Sequence, residues 1–179
     1  PPHGQKITII VYLLTTAEDL VYYNQPYLTD YGKQNINKSD LDEVLKVLTS
    51  DFLTQGPKVP LFESEVKKIV SSKFAFALNS ATSALHIACL SLGLKEGDSL
   101  WTSPNSFVAS ANCGLYCGAK VDFVDIDPFT FNMDMKLLEL KLEEAKKNNE
   151  LPKIIVPVHM AGLSCDMKEL KKLSKKYKF

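Results

Sequence analysis

Three hydroxyl side chains, Ser80, Thr82 and Ser83, stand where an apolar run gives way to a helical pattern. The first N–H groups of a helix are unpaired and carry a partial positive charge, and hydroxyls can add donors there. Two interpretations are open. These residues could hold a phosphate at the helix start, or Ser80 could simply cap the helix, which is what the residue types alone favour.

Glycine is missing from this turn, and that narrows the kind of anion it could hold. Neither G-x-G-x-x-G nor G-x-x-x-x-G-K-[ST] occurs in the chain, so the patterns that bring a backbone close to a pyrophosphate are missing. If the turn binds an anion, a single terminal phosphate monoester fits better than a dinucleotide or a nucleoside triphosphate.

Other candidate residues follow apolar runs further along the chain. Phe107 could stack on a planar ring, although a lone aromatic residue is more often part of a core. His159 could contact a substrate or be a histidine with its own structural partners. Asp125 and Asp127 are favoured as turn residues, because Asp127 precedes a proline. No zinc-protease motif or nucleophile elbow is present.

Short apolar runs alternate with helical patterns from residue 74 onward, which predicts parallel strands joined by helices. The predicted strands are Phe74–Leu78, Ser99–Thr102, Lys120–Ile126 and Lys153–Val158. The predicted helices are Ala81–Leu92, Phe107–Cys117, Asp134–Asn148 and Asp166–Lys178. We expect an α/β fold with three αβα layers around a mostly parallel sheet, and a ligand crevice at the carboxyl ends of the strands.

Two helices are predicted before this alternation. Ser39 is the expected N-cap of the first, with Asp42 at the capping-box position. Each helix has an expected inward face, formed by Leu41, Val44, Leu45 and Leu48 in the first and by Phe62, Val66, Ile69 and Val70 in the second. The residue pattern of 1–26 is not continuous with the elements that follow, so these residues form an unassigned extension. The predicted domain is 27–179.

Composition excludes several classes of protein. Basic and acidic residues both number 21, which argues against nucleic-acid binding through bulk charge. The four cysteines form no C-x-x-C pair, so no metal site is predicted and a reducing cytoplasm is the default. The apolar run Ile7–Leu14 is too short to cross a membrane. Because the chain starts at Pro1 and stops at Phe179 directly after a helical pattern, we expect a piece of a longer protein.

Four segments together resemble the DegT/DnrJ/EryC1/StrS family of sugar aminotransferases. They are SDFLTQGPKVPLFE, ALNSATSALHIACLSLGL, WTSPNSFVASANCGLYCGAKVDFVDIDP and VPVHMAGLSCDM. Within the family the chain is most similar to the UDP-sugar 4-aminotransferase branch of pseudaminic acid biosynthesis. The resemblance runs from Tyr31 to Phe179.

The resemblance implies the N-terminal half of the large domain of a fold type I enzyme that uses pyridoxal 5'-phosphate and forms a homodimer when full length. By family position, Ser80, Ala81 and Thr82 would hold the cofactor phosphate, and Phe107 would stack on its ring. The residues implied near the nucleotide sugar or the cofactor are Tyr31, Thr54, Gln55, Gly56 and His159.

The implied reaction is amino transfer, with glutamate as the expected donor, to a nucleotide-linked 4-keto-6-deoxy sugar for cell-surface glycans. In the family the Schiff-base lysine and the Asp beside the pyridine nitrogen would follow Phe179, so no catalytic residue is expected within the chain and residues 1–179 alone are expected to be inactive. Two alternatives remain open. One is a sugar dehydratase of the same family, in which histidine replaces the lysine, and the other is a non-catalytic sensor or binding protein with the same fold.

Overall fold

The computed structural model describes residues 34–179. The chain divides into two compact units, and their described parts are residues 34–79 and 80–179. Tyr31 and the extension 1–26 therefore lie outside the described residues. Among residues 34–179, no helix combines the length and the apolar character needed to cross a membrane.

The second unit is built on a three-stranded parallel sheet in the order β2-β1-β3. Its strands are β1 (Ser99–Thr102), β2 (Lys120–Phe123) and β3 (Ile154–Val156). In the register of the sheet, the last residue of β1, Thr102, lies opposite Phe123 on one side and Val156 on the other. All three strands therefore end at the same edge.

Helices cover both faces of this sheet. The helices of the unit are α3 (Ala81–Ser91), α4 (Ala109–Tyr116), α5 (Met135–Asn148) and α6 (Met167–Tyr177). Leu100 belongs to a core with Cys89 of α3 and Cys113 of α4, whereas its neighbour Trp101 belongs to a core with residues of α5 and α6. Successive strand residues point to opposite faces, so the two cores lie on opposite sides of the sheet. The three-layer αβα prediction is confirmed.

Most predicted elements of this unit are confirmed with ends trimmed by one to a few residues. In the other unit, the predicted strand Phe74–Leu78 is wrong. In the described chain this segment pairs with no other strand, and Phe74 and Phe76 are 66% and 78% exposed. A strand exists only when a neighbour accepts and donates its backbone hydrogen bonds. Here the N–H of Ala77 donates instead to the Glu63 carboxylate at 2.8 Å.

The first unit contains α1 (Lys38–Leu48) and α2 (Lys58–Ile69). The prediction of Ser39 as N-cap is wrong, because Asn37 caps α1. Asn37 Oδ1 accepts from the N–H of Ser39 at 2.8 Å, and Asp40 Oδ2 accepts from the N–H of Asn37 at 2.9 Å. Asparagine and serine are equally good caps, so the pairing of Asn37 with Asp40 three residues later decides the helix start.

The expected inward faces of α1 and α2 are only partly confirmed. On α1, Leu41, Val44, Leu45 and Leu48 share one face, but all four side chains are more than half exposed. On α2, Phe62 and Ile69 are also exposed, whereas Val66 and Val70 are half-buried. Periodicity identifies which side chains share a helix face, but it does not say whether anything covers that face.

Candidate functional site

The carboxyl edge of the sheet brings together three chain segments and the start of a helix. Ser103, Val124 and Pro157 directly follow β1, β2 and β3. Helix α3 runs through the short turn 92–98 into the amino end of β1 and packs on the sheet. Its N-terminus therefore lies toward the carboxyl edge. This is the arrangement in which open α/β sheets bind ligands.

Ser80 is the N-cap of α3, as the simpler interpretation predicted. Its backbone is extended, and its Oγ accepts from the N–H of Ser83 at 3.1 Å. The same hydroxyl donates to Ser83 Oγ at 3.0 Å. The hydrogen-bonding capacity of Ser80 is therefore used largely within the helix start.

Capping leaves other donors of the turn without a partner. Among residues 34–179, no acceptor faces the backbone N–H groups of Ala81 and Thr82 or the Thr82 hydroxyl. Helix α3 contains no acidic residue, so no carboxylate competes for these donors. A terminal phosphate fits this arrangement because it needs several donors and no nearby negative charge. Ser80 can cap the helix while Ala81 and Thr82 remain available to an anion.

Phe107 lies between β1 and α4, and its ring is 76% exposed. The interpretation of this residue as part of the core is therefore wrong. The helix begins two residues later than predicted, at Ala109, and the carbonyl of Phe107 accepts from the N–H of Ser110 at 3.0 Å. An exposed ring anchored through its backbone at a ligand edge is available for stacking on a planar group.

Ser103 was missed as a candidate by the sequence analysis. It continues directly from β1, is 2% exposed, and its Oγ has no hydrogen-bond partner among the described residues. An unpaired buried hydroxyl costs about 1–3 kcal/mol, so such groups are concentrated where a ligand or water completes the bonding. A serine directly after the predicted strand Ser99–Thr102 was the available signal.

His159 follows β3, and its ring is exposed. Its Nδ1 accepts from the backbone N–H of Cys165 at 3.1 Å. The histidine thus has a structural partner and remains accessible. Asn132, a second residue that the sequence analysis did not single out, is 5% exposed and hydrogen-bonds to the backbone on both sides of this turn.

The turn interpretation is confirmed for Asp127, which directly precedes the turn 128–130, whereas Asp125 lies outside that turn. Asp127 Oδ1 accepts from the N–H of Thr130 at 2.8 Å, from its hydroxyl at 3.0 Å and from the N–H of Phe129 at 3.0 Å. These bonds, those from Thr130 first, lower the pKa of Asp127. Asp125 Oδ1 accepts from the N–H of Ile126 at 2.8 Å. The Asp127 carboxylate thus shapes the connection to α5.

Thr54, Gln55 and Gly56 lie in the other unit, in the loop between α1 and α2. Gln55 has a left-handed backbone with φ of 52°. A Cβ at Gly56 would come within 2.9 Å of Phe52 Cβ, so the loop requires glycine there. This gives the loop a defined shape, and its role near a substrate stays a prediction. Tyr31 cannot be placed, since it lies outside the described residues.

The cysteines do not form a metal site in the described part of the chain. Cys89, Cys113, Cys117 and Cys165 are all free thiols, and no group of three or more His, Cys, Asp or Glu side chains could hold a metal ion there. Burial raises the pKa of the Cys165 thiol, and its Sγ donates to the carbonyl of Val158 at 3.0 Å.

Comparison with known proteins identifies a matching family and similar proteins of known name. Residues 34–179 match the DegT/DnrJ/EryC1/StrS aminotransferase family. A UDP-4-amino-4,6-dideoxy-N-acetyl-beta-L-altrosamine transaminase of Campylobacter jejuni is 44% identical over 147 residues, covering 82% of this chain and 38% of that protein. The UDP-4-amino-4-deoxy-L-arabinose--oxoglutarate aminotransferase of Shewanella sediminis is 34% identical, covering 80% and 35%.

Solved structures agree with these relatives. Helicobacter pylori PseC, an aminotransferase involved in the biosynthesis of pseudoaminic acid, superposes with a TM-score of 0.72 at 37% identity, covering 81% of this chain and 38% of that one. The PLP form of the sugar aminotransferase Spr1654 from Streptococcus pneumoniae has a TM-score of 0.70 at 30% identity, covering 79% and 35%. The chain thus spans little more than a third of the length of these proteins.

Proposed function

The chain belongs to the DegT/DnrJ/EryC1/StrS aminotransferase family, and from this premise we propose that it is part of a pyridoxal-phosphate enzyme that transfers an amino group to a nucleotide-linked 4-keto-6-deoxy sugar. The names of its relatives support a UDP-linked sugar as the acceptor. Glutamate is the proposed donor, because one relative is named for oxoglutarate, the keto acid left when glutamate gives up its nitrogen.

The observation that carries this proposal is the set of donors at the start of α3 that have no acceptor among residues 34–179. The cofactor phosphate would be bound by the N–H groups of Ala81 and Thr82 and by the Thr82 hydroxyl, while Ser80 caps the helix. The positive end of the helix favours the phosphate charge. When bound, pyridoxal phosphate supplies the electron sink on which amino transfer depends.

Two further residues at the same edge would complete the cofactor site. Phe107 would cover one face of the pyridine ring, for which its exposed side chain is available. The buried Ser103 hydroxyl, unpaired among the described residues, would gain a partner from the ligand or from a water that the ligand holds.

The remaining proposed contacts are with the substrate. His159 would contact the nucleotide sugar or the cofactor from the sheet edge, and Tyr31, Thr54, Gln55 and Gly56 would contact the sugar nucleotide. We propose that the whole protein is a cytoplasmic homodimer acting in the pseudaminic acid pathway of cell-surface glycan synthesis. Residues 27–179 would form part of its large domain.

The test is a comparison of two ligands that differ only in the phosphate. The full chain should bind pyridoxal phosphate more tightly than pyridoxal, as measured by quenching of the fluorescence of Trp101, the chain's single tryptophan. Thr82→Val should weaken binding of pyridoxal phosphate by roughly 10-fold or more, because a hydrogen bond to a charged group contributes about 1.5–3 kcal/mol. Binding of pyridoxal should not change.

A matched control removes a hydroxyl from the other end of the same helix. Ser91 lies in the last turn of α3, and its Oγ donates to the carbonyl of Ala88 at 2.9 Å, so Ser91→Ala should leave both affinities unchanged. Equal binding of pyridoxal and pyridoxal phosphate, or an equal loss in the two variants, would contradict the assignment of the phosphate site.

A further inference from the structure

The turn after β3 is held by a buried side chain from a distant part of the sequence. Asn132 precedes α5 and is 5% exposed. Its Oδ1 accepts from the N–H of Met160 at 2.9 Å, and its Nδ2 donates to the carbonyl of Leu163 at 3.0 Å. One amide group thus satisfies two backbone groups of the turn, one on each side of Ala161.

The residue between these two bonds has an unfavourable backbone. Ala161 has φ of 50° and ψ of 29°, the left-handed region that residues with a Cβ seldom adopt. Such a conformation persists only where the surrounding structure determines it. Asn132 provides that restraint, because its two hydrogen bonds bracket Ala161 and disappear if the turn relaxes.

The restrained turn fixes the chemistry of the adjacent histidine. The N–H of Cys165 donates to His159 Nδ1 at 3.1 Å, so in the neutral ring Nδ1 is an acceptor and the proton lies on Nε2. Cys165 Sγ also donates to the carbonyl of Val158 at 3.0 Å, which closes the turn on itself. No described residue accepts a hydrogen bond from Nε2 of this exposed ring.

We propose that Asn132 is a positioning residue that locks the turn after β3, so that His159 presents its Nε2–H as a fixed donor to an acceptor oxygen of the bound ligand. We take only the identity of the ligand from the proposed function. That oxygen belongs either to pyridoxal phosphate or to a UDP-sugar, and both present oxygen acceptors to a neutral N–H donor. A donor held in one tautomer avoids the cost of reorganising the ring on binding.

The position of the ring proton can be measured directly. The sequence contains three histidines, so long-range ¹H–¹⁵N correlation spectra of the full chain are simple, and a His159→Gln variant assigns the signal. At a pH where the ring is neutral, wild type should show His159 with its proton on Nε2. Asn132→Leu, which removes both bonds at similar volume, should convert this to a mixture of the two tautomers.

Thr102→Val is the matched control. Thr102 is fully buried, and its Oγ1 donates to the carbonyl of Val156 at 2.9 Å, so this variant also loses one buried side-chain bond to the β3 backbone but leaves the turn intact. It should keep the wild-type tautomer. The proposal is overturned if Asn132→Leu leaves the His159 signals unchanged, or if Thr102→Val mixes the tautomers to the same extent.

A second variant covers the case in which Asn132→Leu does not fold. Asn132→Asp keeps an acceptor for the N–H of Met160 and loses the donor to Leu163, so a partial shift toward the mixture is expected, and wild-type spectra would overturn the proposal. Adding each ligand separately then distinguishes the two sources of the oxygen. Pyridoxal phosphate or UDP-N-acetylglucosamine, added separately to wild type, should shift the Nε2–H signal, and no shift with either would overturn the ligand contact.

These outcomes differ from those that would overturn the proposed function. If the chain fails to bind pyridoxal phosphate in the fluorescence assay, the cofactor assignment is lost. The tautomer experiment without ligand still decides whether Asn132 positions His159. Conversely, tight binding of pyridoxal phosphate with an unchanged tautomer in Asn132→Leu would retain the function and remove the positioning role.

Discussion

Ser80 and Thr82 are two residues apart, yet their hydroxyls have different partners. Ser80 Oγ is bonded to Ser83 within the helix start, whereas the Thr82 hydroxyl has no partner among residues 34–179. Loss of the first hydroxyl would therefore act mainly on the stability of α3. Loss of the Thr82 hydroxyl would mainly weaken the binding of an anion at the turn. A substitution of Thr82 therefore tests anion binding directly.

A partly exposed ion pair links the turn before β1 to the residue that precedes β3. Lys153 Nζ donates to Asp98 Oδ2 at 2.8 Å and to the carbonyl of Gly93 at 2.6 Å. The hydrogen bond from Lys153 holds the pKa of Asp98 below its usual value. A lowered carboxyl pKa stabilises the fold above the ordinary pKa of about 3.9, and this stabilisation is lost as the pH falls through the lowered value.

Asp98→Asn should therefore reduce stability at neutral pH and flatten its acid dependence. We expect the difference in the free energy of unfolding between wild type and variant to be largest above pH 5 and to shrink toward acid, as urea titrations at several pH values would show. Glu96→Gln, a change of equal charge at an exposed position of the same turn, should not reproduce this. A difference that is independent of pH would contradict the role of the ion pair.

The packing of α4 on the sheet depends on the absence of a side chain at one position. Gly114 is buried, and a Cβ there would lie 2.9 Å from Val121 Cγ2 and 3.2 Å from Leu100 Cβ. Interior glycine is otherwise unfavourable in a helix, by about 1 kcal/mol relative to alanine. The close approach of the helix to β1 and β2 explains why glycine occurs here.

Gly114→Ala should consequently destabilise the protein despite its better helix propensity. Overpacking costs about 1–3 kcal/mol, which is expected to exceed the gain in propensity, and urea unfolding monitored by circular dichroism would measure the balance. Asn112→Ala, on the same helix and half-buried, should be close to neutral. A stabilising effect of Gly114→Ala would mean that α4 can move away from the sheet at little cost.

At the scale of secondary-structure elements, the segment 74–78 shows that a local residue pattern is not sufficient to predict a strand. Its phenylalanines are typical of a strand, yet Phe74 and Phe76 are exposed and no strand pairs with the segment among residues 34–179. The helices around it were easier to predict, because their hydrogen bonds lie within one segment. A strand needs a second segment, which the local sequence does not specify.

At the scale of the whole molecule, two lysines of α6 lack the surroundings of a reactive lysine. A lysine that acts as a nucleophile needs a lowered pKa. The carboxylates of Glu169 and Glu139 instead raise the pKa of Lys172 and Lys176, respectively. The chain spans little more than a third of the length of its relatives, and from the resemblance we propose that the reactive lysine lies outside residues 1–179.

Residues 1–179 should therefore bind pyridoxal phosphate without forming a specific covalent bond to it. After borohydride reduction, mass spectrometry should find no single lysine modified in equal molar amount, and incubation with glutamate should produce no amino transfer. The transaminase of Campylobacter jejuni, treated identically, is the positive control. Stoichiometric labelling of one lysine in this chain, together with transfer of nitrogen, would contradict the expectation.

The local sequence was sufficient for most of the helices and for the parallel strands of the second unit. Apolar periodicity, turn residues and caps such as Asp134 and Asp166 act over a few neighbouring positions. The phosphate interpretation of Ser80, Ala81 and Thr82 could also be formulated from the sequence, because a helix start offers donors wherever it occurs. The sequence alone thus determined the α/β class and the position of the candidate turn.

Only the tertiary structure decided which side chains meet. It showed that Phe107 is exposed, that the Ser103 hydroxyl is buried without a described partner, and that Asn132 is bonded to a turn 28 residues later. It also left Phe74–Leu78 without a strand partner in the described chain. Exposure and long-range hydrogen bonds depend on contacts between distant segments, and such contacts are properties of the assembled fold rather than of any short stretch of residues.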